Sequence, residues 1–401
     1  MLQLSTDHSF HFELLRVLAI APYHGSDIGE VLEAAGKIEP GSFESFYSVF
    51  NSLAENVLAR GEAIDSSKYP ISARDAYFAA STYFRSADFY LHGKKDDPRI
   101  MALWEKQTYA FDKAIALLPV PAKRLTLKAD GFDVPAIFYG AGGEGKKPTI
   151  ILGNGYDGAQ EEMLHNCGFA ALERGWNVIT YEGPGQPTVL RSQGLGFIAE
   201  WEEVVTPVVD YLETLPEVDM TKVGLVGFSM AGFLCVRAAA FEHRLAAVLA
   251  IDGVYDVAEA FLNVLGPALK GSIDNGDFVA AEPIFRGMLA NPHLPTAARW
   301  GIEQGLWSFN TNTISEFIDK TSSMTLKGLE SKVQCPILVG LAEEDMFFKG
   351  QPERVMEALG ERAALMKLSA KDAAGEHCHV GALKMMNGVA MNWFQDVILK
   401  K

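Results

Sequence analysis

Hydrophobic and polar positions follow two rhythms along this chain of 401 residues. Up to about residue 120 apolar positions recur every three or four residues, the spacing of helices that bury one stripe. Residues 42–60 carry Phe43, Phe46, Phe50, Leu53 and Val57 on one stripe after a Pro40-Gly41 break. Residues 72–92 follow Pro70 with Tyr77, Phe78, Tyr83, Phe84, Phe89 and Tyr90, and residues 99–118 make a third long helix ended by Pro119 and Pro121. These aromatic stripes predict helix–helix core. Residues 14–22 read as a further docking helix, not a signal peptide, because Arg16 interrupts the apolar run and no basic segment precedes it.

From Lys123 onward short apolar runs alternate with helical patterns. Strands are predicted near 124–130, 133–139, 148–153, 176–181, 222–227, 246–251, 335–341 and 363–369, with helices near 159–174, 198–214, 230–241, 351–359 and 380–398. The first two strands make a hairpin around Asp130-Gly131-Phe132; the later ones alternate with helices and should lie parallel. The class is therefore α/β, a mostly parallel eight-stranded sheet flanked by helices. About eighty aromatic-rich residues separate the sixth and seventh strands, too many for a plain loop, and read as a helical lid. The expected organisation is a helical region over 1–121, a core over 122–254 and 329–401, and a lid insertion over 255–328.

Composition changes this picture little: 48% hydrophobic and 21% charged residues are ordinary for a globular protein. A net charge of −16 argues against nucleic acid or an anionic membrane as the main partner. No run approaches the roughly 18 apolar residues of a membrane span. The cysteines at 167, 235, 335 and 378 form no paired spacing, which suits a reducing compartment and makes cytoplasmic the default location.

The candidate chemistry begins at residues 222–240, KVGLVGFSMAGFLCVRAAA, a buried strand, a tight turn and a helix. Gly227-Phe228-Ser229-Met230-Ala231-Gly232 is close to the G-x-S-x-G turn that lifts a serine above a sheet, with Ala231 replacing the usual second glycine. A serine nucleophile needs a base, and the base an orienting acid. Asp345 sits just beyond the strand at 335–341, with Glu343, Glu344 and then Asp252 as competitors. After the last strand comes Glu376-His377-Cys378-His379, where His377 is the preferred base and His379, nearer the helix start, the alternative. An isolated H-C-H without a second ligand cluster is a weak metal signal. Oxyanion donors are expected from the backbone of Met230, after the serine, and of Tyr156, in the loop after the strand at 148–153. Tyr156, whose phenol can also touch substrate, Asp157 and Asp252 are the expected substrate contacts.

Two motifs compete. Gly153-Asn154-Gly155-Tyr156-Asp157-Gly158 is also G-x-G-x-x-G between a strand and a helix, and Glu182 follows the next strand, so a dinucleotide-binding oxidoreductase is the rival class. Bulky Tyr156 and Asn154, and the preceding strands, count against it. The glycine-rich stretch at 140–147 ends in lysines but lacks the Ser/Thr of a phosphate loop and leads into a strand.

Taken together, these motifs resemble the α/β-hydrolase superfamily. The nearest resemblance is to the branch with a helical N-terminal region that includes bacterial 2,6-dihydroxypseudooxynicotine hydrolase and fungal polyketide chain-shortening C–C hydrolases. Ser72-Ala73-Arg74, Gly153-Asn154-Gly155-Tyr156-Asp157, Glu182-Gly183-Pro184-Gly185-Gln186, the Ser229 turn and Glu376-His377-Cys378 carry it. Glu182, where Asp is commoner, and Pro187, where Gly is usual, depart from it. The resemblance implies cleavage of a carbon–carbon bond next to a ketone in a polyketide-like or aromatic compound, a homodimer formed through the helical region, and no metal or organic cofactor. An esterase or lactonase, or an acyl-transferring cyclase, would use the same residues.

Overall fold

The computed structural model describes residues 2–265, 267–291 and 293–400. Helices α1 (His8–Ala19), α2 (Ile28–Ala35), α3 (Phe43–Ala63), α4 (Pro70–Asp88) and α5 (Pro98–Ile115) precede the first strand. Side chains cap the starts of α1, α3 and α5: Asp7 accepts from Phe10 N, Ser42 from Ser45 N and Asp97 from Arg99 N. Helices α3, α4 and α5 pack side by side, and Phe46, Phe50, Phe78, Phe84 and Phe111 are fully buried between them. The aromatic stripes are thus core, with Phe89 an exception that reaches the central cavity.

Eight strands follow: β1 (Lys123–Lys128), β2 (Asp133–Tyr139), β3 (Lys147–Gly153), β4 (Asn177–Tyr181), β5 (Val218–Phe228), β6 (Ala247–Ile251), β7 (Ile337–Ala342) and β8 (Ala363–Leu368). They form one sheet in the order β1-β2-β4-β3-β5-β6-β7-β8. β2 runs antiparallel to β1 and β4, and the remaining pairs are parallel. Every residue of β4 and β6 is buried, because helices cover both faces.

The crossovers are α6 (Gln160–Met163), a π turn (Leu164–Gly168), α7 (Phe169–Leu172), α8 (Pro187–Gln193), α9 (Glu202–Glu213) and α10 (Ala231–Ala239). Between β6 and β7 lie α11 (Val257–Leu265), α12 (Pro267–Asp274), α13 (Phe278–Ala290), α14 (Thr296–Ser308) and α15 (Ile314–Ser322). A bridge between Asp256 and Thr325 ties the two ends of this insertion together, and α14 packs against α1. Helices α16 (Gln351–Leu359) and α17 (Leu383–Leu399) complete the chain. From β3 the chain steps to β4 on one side, then crosses to β5 on the other. The carboxyl ends of β3 and β5 therefore flank the reversal of strand order where open α/β sheets bind ligands. Among the described residues, no helix is long and apolar enough to cross a membrane.

Candidate active site

The turn after β5 holds Ser229 at φ +60°, a left-handed conformation that side chains adopt at a cost. Its surroundings enforce it. Ser229 N donates to Ile251 O at 2.5 Å and Gly232 N donates to Ser229 O at 2.7 Å. A Cβ on Gly232 would lie 1.7 Å from Asp252 O, and one on Gly227 2.1 Å from Ala231 O, so both positions must be glycine. Ala231 is buried without such a conflict, which explains why its methyl group is accepted.

Three strand ends converge on this serine. His377 Nε2 is 2.9 Å from Ser229 Oγ, and its Nδ1 is 2.8 Å from Asp345 Oδ2. Asp345 follows β7, and its other oxygen accepts the backbone N–H groups of Phe347 and Phe348 at 2.6 and 3.0 Å. The competing acids turn elsewhere: Glu343 is exposed and accepts from Ala370 N, and Glu344 is exposed. His379 is fully buried, and its Nδ1 pairs with Ala374 O at 2.9 Å, so His377 is the imidazole at the serine.

Asp252 corrects one expectation. Its carboxyl is completely buried and does not line the cavity; Oδ2 instead lies 2.9 Å from His377 Nδ1 and accepts Cys378 N at 2.9 Å. The imidazole thus faces two carboxyls. Burial alone would raise Asp345, but the facing His377 and the Phe347 N–H hold its carboxyl well below the usual range. Asp252 is raised, by its burial first and then by the Asp345 charge. Asp345 is therefore the ionised partner and Asp252 the more readily protonated one. Burial disfavours imidazolium, yet the Asp345 charge and the hydrogen bonds of Asp252 and Asp345 together outweigh it and hold His377 well above its usual value of 6.5.

Gly155 lets the loop after β3 press onto the serine turn: a Cβ there would sit 2.8 Å from Met230 N. The Met230 and Tyr156 N–H groups make no backbone hydrogen bond among the described residues. Tyr156 is held at two points by α14. Its hydroxyl donates to Gly301 O at 2.5 Å, and its carbonyl accepts Gln304 Nε2 at 2.9 Å. Gln304 Oε1 in turn faces His92 Nδ1 at 2.5 Å.

Ser229, Met230, Tyr156, Asp157 and His377 line one cavity with Phe12, Phe89, Phe228, Phe261, Trp300, Phe347 and Phe348. Its lining is largely apolar and aromatic, apart from one polar end. There Arg16 of α1 holds Asp157 at 3.1 and 3.3 Å and Glu162 at 2.6 Å through both oxygens. The Asp157 carboxylate thus lines the cavity already paired. Sequence reasoning missed Phe12, Arg16, Trp300 and Gln304, because helical spacing alone assigns them to core or surface.

The dinucleotide reading fails on the same loop. Asn154 fills the space over it, with its Nδ2 1.8 Å from where a Gly158 Cβ would be. Glu182 faces inward and accepts Gln160 N at 2.8 Å and Thr188 N at 2.6 Å, staying clear of any ribose.

Residues 50–261 match the family model described as esterase FrsA-like. Hydrolase acrC of Aspergillus aculeatus is 30% identical, over 96% of both chains. The chain belongs to the FrsA-like esterase family. The FrsA-like match includes Ser229 but ends before Asp345 and His377. 20-hydroxy-prefusarin hydrolase FUS2 of Gibberella moniliformis is 29% identical over 98% of this chain and 97% of its own. The solved 2,6-dihydroxy-pseudo-oxynicotine hydrolase superposes with TM-score 0.75 at 20% identity over 96% of each chain, which identifies the fold. This FrsA-like protein is a hydrolase of the α/β-hydrolase type.

Proposed function

We propose that the protein is a serine-dependent hydrolase that cleaves a carbon–carbon bond next to a ketone in a polyketide-like or aromatic secondary metabolite. The observation that carries the serine chemistry is His377, placed between Ser229 Oγ at 2.9 Å and Asp345 Oδ2 at 2.8 Å. His377 removes the Ser229 proton as the oxygen attacks the ketone carbonyl, and the Met230 and Tyr156 N–H groups receive the oxyanion. Collapse breaks the bond to the neighbouring carbon, whose electron pair spreads into an adjacent carbonyl or aromatic ring. Imidazolium at His377 then protonates that carbon. Water, deprotonated by the same imidazole, hydrolyses the acyl-enzyme and regenerates Ser229. No step calls for a metal or organic cofactor.

The aromatic lining of the cavity supports a flat, conjugated substrate, and the relative named 20-hydroxy-prefusarin hydrolase supports a small organic one. A second reading, ester or lactone hydrolysis on the same residues, is favoured by the family's description as esterases. Measuring kcat/KM on β-diketones and acylated naphthopyrones beside aryl esters tests the choice. A preference of tenfold or more for esters would overturn carbon–carbon cleavage, and a product lacking the added water would indicate acyl transfer. In the same reading two copies pair through the helical region, where Ile28, Leu32, Tyr69 and Ile71 are exposed. Light scattering on the eluting protein reads that stoichiometry.

A further inference from the structure

Cys378 has no part in the chemistry above, yet its thiol borders the reacting atoms. Cys378 Sγ lies 3.4 Å from His377 Nε2, on the side of the imidazole that faces Ser229. Both side chains and the serine line the same cavity, so an ion has a way in. We propose that Cys378 Sγ and His377 Nε2 form a binding site for a soft divalent cation, Zn2+ above all, and that occupancy switches the hydrolase off. The inhibitory half rests on the catalytic reading of His377; the binding half does not.

The geometry fits zinc at three points. Tetrahedral Zn2+ with Zn–N of about 2.0 Å and Zn–S of about 2.3 Å sets nitrogen and sulfur about 3.5 Å apart, close to the distance found. Next, a metal-binding histidine usually gives its other ring N–H to a carboxylate, which fixes the ring and strengthens the ligand. Here Asp345 and Asp252 already face Nδ1 at 2.8 and 2.9 Å. Finally, Ser229 Oγ, 2.9 Å from Nε2, adjoins a third coordination position, which the hydroxyl or a water molecule would take.

The exchange balances simply. Cys378 releases its thiol proton to solvent, the sulfur lone pair forms the Zn–S bond, and the Nε2 lone pair forms the Zn–N bond. Because binding displaces the thiol proton, it strengthens as pH rises. The Nε2 lone pair is then no longer available to the Ser229 proton, and turnover stops.

The test uses the full-length protein stripped with a chelator. Zn2+ is titrated calorimetrically into wild type, Cys378→Ala and Cys378→Ser, each first shown to melt cooperatively, and activity is read relative to each variant's own metal-free rate. One ion per chain should bind wild type. Either substitution should weaken binding more than about 100-fold, beyond the 10–100-fold typical of losing an outer-shell partner. Co2+ in place of Zn2+ should show thiolate-to-metal charge-transfer absorption in wild type that both variants lack. Equal Zn2+ affinity in all three proteins, or Co2+ bound without that absorption, would overturn the site. Binding that depends on Cys378 but leaves wild-type turnover unchanged would keep the site and overturn both the switch and the role given to His377.

Discussion

The cavity has two walls of different construction. One is the carboxyl edge of the sheet, where β5, β7 and the loop after β8 deliver Ser229, Asp345 and His377, with Asp252 after β6 behind the imidazole. The other is helical, built by Phe12 and Arg16 of α1, Phe89 after α4, and Trp300 and Gly301 of α14. The sheet edge fixes positions through hydrogen-bonded strands and glycine contacts that tolerate no added atom. The helical wall fixes shape through stacked rings, such as Phe89 on Trp300 at 4.9 Å and 20°. In the proposed reading, reaction chemistry belongs to the first wall and substrate choice to the second, a division that variants on each side can break.

The largest effect belongs to the sheet edge. Ser229→Ala should lower kcat by roughly 10⁴–10⁶-fold with little change in KM, the scale of losing a triad member. Near-full turnover in that variant, measured on any substrate the wild type cleaves, would remove Ser229 from the mechanism. His377→Ala should match it. His379→Ala should mainly lower the melting temperature, since that ring is buried away from the serine.

Asp345→Asn comes next. A triad with one acid loses about 10⁴-fold on such a change. Here the loss should stop nearer 10³-fold, because Asp252 still faces Nδ1 at 2.9 Å. The pH profile reads the cause. Protonated His377 cannot accept the serine proton, so kcat/KM falls as pH drops through its pKa. In wild type that limb should lie above 6.5, because the Asp345 charge and the hydrogen bonds of Asp252 and Asp345 together outweigh the burial of the ring. Removing the Asp345 charge should move the limb to lower pH, and an unmoved limb would assign the acid role to Asp252.

Legibility in the sequence follows the same division. All eight strands were readable, β6 as an unbroken apolar run covered on both faces and β1 as an alternation of polar and apolar residues. The start of β5 was not: Asp219 and Thr221 interrupt the apolar run, and Val218 reaches strand pairing with Lys147 of β3 across a register shift. α2 and α8 have eight and seven residues, too few for a period to show. Ser229, Asp345 and His377 were nameable because each sits where a predicted strand ends. The position of Asp252 on the imidazole was not, since a carboxylate after a strand reads alike whether it faces substrate, turn or ring. Phe12, Arg16 and Trp300 stayed hidden, because helical spacing does not distinguish a face that meets core from one that meets a cavity.

The helical wall should yield smaller, differently partitioned effects. Gln304 donates to Tyr156 O at 2.9 Å and so ties the loop after β3, the proposed oxyanion donor, to α14. Gln304→Leu keeps the volume but drops that bond. It should lower kcat by about 10–100-fold, the cost of letting a positioned group shift by part of an ångström, with KM changed less. An unaltered kcat would uncouple Tyr156 from the insertion.

Trp300→Ala should give the mildest and most selective result. The ring contributes binding surface on Phe89 and edge-on to Tyr156 at 6.0 Å, but touches neither Ser229 nor His377 in any ring or hydrogen-bonded contact found. Losing it should raise KM for an aromatic substrate by about tenfold, within the 1–3 kcal/mol that one apolar contact group is worth. A compact aliphatic ester, which would not reach that wall, should be turned over at an unchanged kcat/KM. Equal losses on both substrates would show that Trp300 supports the reacting centre itself, and the two walls would then be one structure.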